Sequence, residues 1–97
     1  MTIPRAASSP AMDAPAPDAL ALALSALGWI LADGNRADRL LALTGQTPDG
    51  LRAALGDPGT LAGVLDFLCA HEPDLVAAAD ALGVAPADLA AARERLA

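Results

Sequence analysis

The sequence predicts an all-α fold: a small bundle of about six short helices behind a disordered, Pro/Ala-rich tail. Three observations carry this. No stretch alternates apolar and polar residues as a half-buried strand would. Apolar residues recur instead at three- and four-residue spacings, and most are alanine or leucine, which favour helix strongly. Between these stretches stand paired boundary signals, a capping side chain ahead of a proline or a glycine after the last periodic residue.

Taken in order, Met1 to Pro17 is rich in Pro, Ala and Ser without periodicity. It is expected to be a disordered tail, with residues 18–97 as a single helical domain. Asp18 offers an N-cap oxygen, and a helix is expected from there to about Ala32. Leu20, Leu24, Leu27 and Leu31 lie on one stripe of it; Leu22 and Trp29 lie off the stripe. A helix apolar on more than one face is either central in its bundle or covered by a partner. Asp33-Gly34-Asn35 reads as a turn, followed by a short helix to Thr44 with Leu40, Leu41 and Leu43 inward and Gly45 as a left-handed stop. Thr47-Pro48 reads as cap and first helical residue of a helix ending near Leu55, before Gly56. Asp57-Pro58 repeats the signal and opens a longer helix to about His71. Pro73 opens a fifth helix that Gly83 stops. Pro86 opens a sixth that ends at Ala97 and is poorly capped, because Ala85 has no side-chain oxygen.

A shift of 38 residues places Trp29 on Phe67, Ala32 on Ala70, Gly45 on Gly83, Pro48 on Pro86 and Leu51 on Leu89. The repeated unit would be three helices, at a period in the helical-repeat range. Chance matches are frequent in a chain this rich in alanine and leucine.

Composition excludes several functions. The net charge is −6, all six cations are arginine, and a general phosphate-backbone binder needs clustered cations. One cysteine forbids an internal disulfide. The N-terminus has prolines and aspartates where a secretion signal needs an apolar stretch. The longest apolar run, residues 19–32, is too short to span a bilayer. A soluble cytoplasmic protein is expected.

The stretch LDFLCAHEPDL, residues 65–75, holds the sole cysteine and the sole histidine. On a helix Leu61, Val64, Leu65 and Leu68 share one face, Phe67 lies at its edge, Asp66 faces solvent, and His71 falls in the last turn. Cys69 and His71 are two apart and do not share a side. A zinc site needs about four ligands at workable spacing, and a cysteine nucleophile needs a base and an oxyanion hole. Neither set is present, so no metal, no cofactor, no small-molecule substrate and no enzyme activity are expected. Arg36, Asp38 and Arg39 read as a solvated charged face. Residues 75–96 have the form of a helix-turn-helix, with Gly83 in the turn. The outward positions of the second helix are Pro86, Ala87, Ala90, Ala91 and Glu94, which cannot make the bidentate base contacts of Arg, Asn or Gln. Direct nucleic-acid reading is therefore disfavoured.

LALTG (residues 41–45), Pro48, Leu51-Arg52 and DPGTLAGVLDFL (residues 57–68) together resemble a family of short bacterial proteins known as domain of unknown function 3572. The resemblance continues more weakly through Glu72, Gly83 and Pro86 and runs from about Leu20 onward. The chain departs from the family pattern at Gly34-Asn35 and at Leu40-Leu41, where an aromatic is often found. The resemblance implies an all-α fold and carries over no catalytic residue and no ligand.

These readings lead to a non-enzymatic protein-interaction module. It would act through an apolar helical surface around Leu20 to Leu31, with Leu22, Trp29 and Asp66 as the candidate contact residues and a protein partner or a second copy bound there. The alternative is a helix-turn-helix-like regulator associated with transcription.

Overall fold

The computed structural model describes residues 18–97; the expected tail, residues 1–17, lies outside the described residues. Six α-helices occupy those residues: α1 (Ala19–Leu31), α2 (Gly34–Thr44), α3 (Pro48–Ala53), α4 (Pro58–Cys69), α5 (Glu72–Leu82) and α6 (Pro86–Leu96). No strand occurs among them. None of these helices alone is long and apolar enough to cross a membrane.

The boundaries follow from local chemistry. Asp18, Asp33, Thr47 and Asp57 each accept a first-turn backbone N–H through a side-chain oxygen, from Leu20, Arg36, Gly50 and Gly59 at 3.0–3.2 Å. These bonds satisfy donors that a helix start leaves without partners. Gly45 and Gly83 end α2 and α5 at φ 70° and 71°, a left-handed conformation that side chains with a Cβ disfavour. Ala85 makes no side-chain cap, but the Asp88 carboxylate reaches back and accepts the Ala85 N–H at 3.0 Å.

The core gathers where α6 packs along α4 and α1, and α1 along α4. Leu61, Leu65, Leu68, Leu89 and Ile30 are closed from solvent there. Between them sit Ala23, Ala26, Ala78 and Ala92, also buried. Alanine is thus part of this core although each one adds little buried area.

Three expectations are corrected. Asp33-Gly34-Asn35 is no free turn: Asp33 caps α2, and Gly34 and Asn35 are its first residues. Leu43 is 76% exposed, not inward, because α2 spends its inner face on Leu40 and, partly, Leu41. His71 does not close α4. The helix ends at Cys69, and His71 takes an extended conformation as the N-cap position of α5.

The 38-residue similarity extends to the helix boundaries. α2 and α5 match end to end, α3 and α6 start at equivalent residues, and α1 and α4 finish at equivalent residues. The C-cap residues Ala32 and Ala70 are both right-handed, while Gly45 and Gly83 are both left-handed. Ile30 and its counterpart Leu68 are both fully buried, as are Leu40 and Ala78. The two halves differ in their third helix. α3 has 6 residues and α6 has 11.

Candidate functional site

The helix α1 carries no charged residue between its ends, so hydrophobicity alone does not say which side turns inward. Packing decides it. Ala19, Leu22, Ala23, Ala26, Leu27 and Ile30 are buried. Leu20, Leu24 and Leu31 remain 44%, 44% and 46% exposed. These three fall in line along the shoulder of the buried face, since spacings of four and seven residues nearly complete whole turns.

The C-terminal end of this stripe opens into a groove of about 370 Å³ between α1, α2 and α3. Its walls are Leu27 and Leu31 from α1, Ala37 and Leu41 from α2, and Pro48, Leu51 and Leu55 from α3 and the turn after it, with Asp38 and Arg52 at the rim. A second groove of about 350 Å³ lies on the other side of Leu51, lined by Leu40, Thr44, Thr60 and Val64 among others. Leu51 of the six-residue helix α3 lines both.

The three residues expected to form a contact surface are not brought together as one. Leu22 is in the core, and its candidacy is withdrawn. It lies on the alanine-bearing face that α1 turns toward its neighbours. Trp29 is half-buried on the opposite shoulder from the leucine stripe and is held in place. The Arg36 guanidinium stacks 3.7 Å from its ring centroid and donates from Nη2 to the Trp29 carbonyl oxygen at 2.6 Å. Asp66 is exposed on α4 and pairs with Arg93 of α6 at 3.1 Å.

Asp38 and Arg39 are exposed, as a solvated face requires, and Arg36 is half-buried, but both arginines are engaged. Arg39 contacts the Asp74 carboxylate at 3.0 Å and lies 5.6 Å from the Phe67 ring centroid, tying α2 to α4 and α5. His71 Nδ1 meets the same Asp74 oxygen at 3.1 Å. Burial raises the Asp74 pKa, but Arg39 and His71 outweigh it, so the carboxyl sits below its ordinary value. Cys69 moves the other way. Burial pushes its thiol up, Asp66 and Glu94 add to that, and Arg93 offsets part of it. A thiol held protonated is a poor nucleophile. No group of three or more His, Cys, Asp or Glu able to hold a metal occurs among the described residues.

The helix-turn-helix outline is present: α5 and α6 meet at a bend of 100° across the Gly83 turn. Pro86, Ala87, Ala91, Glu94 and Arg95 are exposed on α6, whereas Leu89 and Ala92 are buried in the core.

No curated protein and no solved structure gave a significant match to the chain. The model of one family does match, over residues 16–97, which is nearly the whole chain and includes every helix described above. The chain belongs to that family, described as Protein of unknown function (DUF3572).

Proposed function

We propose that this domain is a non-enzymatic protein-interaction module that binds through the exposed leucine face of α1 and the groove at its end. The observation that carries the reading is the line of Leu20, Leu24 and Leu31, each nearly half exposed, beside a groove walled by leucines. Scattered exposed leucines need no explanation, but a line of them continuous with an apolar groove supports reading this face as a binding surface. The raised Cys69 thiol argues against nucleophilic chemistry. The test is capture from the native cytoplasm with the full chain as bait, compared with Leu24→Glu and Val76→Glu. Val76 on α5 is also about half exposed, so it controls for surface charge alone. The reading expects a protein retained by the wild type and by Val76→Glu and lost with Leu24→Glu. Capture that ignores Leu24→Glu rules this surface out.

The 100° bend between α5 and α6 supports a second reading, a regulator that uses the helix-turn-helix pair. Helices crossing at such angles form DNA-binding hairpins, but the exposed residues of α6 are mostly small, with Glu94 beside Arg95, and this favours association with a DNA-bound protein over base reading. Titration with mixed-sequence DNA at low salt separates the two modes. Salt-sensitive binding would support direct contact, and none is expected.

A further inference from the structure

The second half of the chain shows what covers this kind of surface. The counterparts of the stripe residues Leu20, Leu24 and Leu31 are Pro58, Ala62 and Cys69 on α4. Pro58, at the start of α4, is exposed, whereas Ala62 is buried and Cys69 is half-buried. α6 is the closest neighbour of α4, and its Arg93 reaches Asp66 at 3.1 Å and acts electrostatically on Cys69. A leucine- and alanine-faced helix therefore lies along that side of α4. In the first half the corresponding helix, α3, stops after six residues, and the same side of α1 stays open.

We infer that the open face of α1 is a berth for an amphipathic α-helix of a partner protein, with a leucine/alanine face and arginine or lysine along its flanks. This rests on the interaction-module reading and adds the identity of the occupant. From Leu20 to Leu31 the stripe is about 16 Å long at 1.5 Å per residue, which calls for a helix of about three turns. The flanks must be basic because the surroundings are acidic. Asp18 stands at one end of the stripe, Asp33 and Asp38 at the other, and the chain carries a net charge of −6. Of the nearby cations, Arg39 and Arg52 are paired with Asp74 and Asp49, and Arg36 stands with Trp29 on the opposite shoulder of α1. A second copy does not meet the requirement. Its best matching helix, α6, is already buried in its own core at Leu89 and Ala92, and two chains of charge −6 repel.

The test uses two synthetic peptides with the leucine and alanine spacing of α6, one with arginine and one with glutamate at the outward positions. Binding to the full chain is read by fluorescence anisotropy. The arginine peptide should bind saturably and weaken as salt rises, with affinity at least tenfold lower for Leu24→Glu and unchanged for Val76→Glu; the glutamate peptide should not bind. No binding of the arginine peptide at millimolar concentration overturns the inference. So does a dimer in sedimentation velocity that Leu24→Glu dissociates, because the occupant is then a second copy. If a captured protein is lost with Leu24→Glu while the arginine peptide fails, the surface stands and the helical, basic occupant falls. If capture ignores Leu24→Glu, the surface reading itself falls.

Discussion

Asp74 shows how single residues tie this small core together. Its carboxylate receives Arg39 from α2 and His71 from the turn before α5, and its ionised form is favoured in the folded state. A carboxyl whose folded pKa is lowered contributes stability above its unfolded value, and that contribution is lost as pH falls through the folded value. Asp74→Asn should therefore destabilise the domain by about 0.5–1 kcal/mol at neutral pH, since both partners are partly exposed. In urea denaturation the difference should shrink below about pH 4 and vanish in stronger acid. A difference that is constant with pH would mean that the ion pairs do not cause it. Cys69 gives a second residue-level prediction. With its thiol held above the ordinary value, it should react with iodoacetamide more slowly at pH 8 than an unhindered thiol does, and the gap should close after unfolding.

At the level of elements, the boundary signals in the sequence were largely sufficient, because a cap and a stop act within a few residues of each other. Asp18, Thr47 and Asp57, with Gly45 and Gly83, delimit helices where their chemistry says they should. The sequence puts the end of α4 at His71, two residues too late, because nothing between Phe67 and Pro73 punctuates it. The incomplete cap of α6 offers a direct test. Asp88 already supplies the reach-back bond to the Ala85 N–H, so a hydroxyl at position 85 completes a capping box. Ala85→Ser should stabilise the domain by about 0.5–1 kcal/mol. Ala85→Asp should gain less, because a second carboxylate would stand beside Asp88. Gly83→Ala should lose about 1 kcal/mol because of its positive φ, and Gly45→Ala a similar amount if the halves are equivalent. Thermal melts of the four variants check these outcomes together.

For the whole molecule, the all-α class and the stripe of leucines on α1 are legible in the sequence, but not the way that helix turns. An apolar helix with alanines on one side and leucines on another is ambiguous until its neighbours are placed. Leucine looks like core and alanine like filler, yet here Ala23 and Ala26 are fully buried in the core that α1 shares with α4 and α6, and the bulkier Leu20, Leu24 and Leu31 are left outside. The groove was equally hidden, since it depends on the short α3 failing to cover α1 from a distance in sequence. The orientation of α1 has a stability signature. Leu22→Ala should cost about 2–4 kcal/mol as a core truncation. Leu24→Glu should stay within about 0.5 kcal/mol of the wild type.

The most direct test of the interaction surface is capture by full-length Leu24→Glu protein whose melting curve has first been matched to the wild type. The account predicts an unchanged fold and loss of the protein that wild type and Val76→Glu retain. Undiminished capture by the folded Leu24→Glu protein would contradict it.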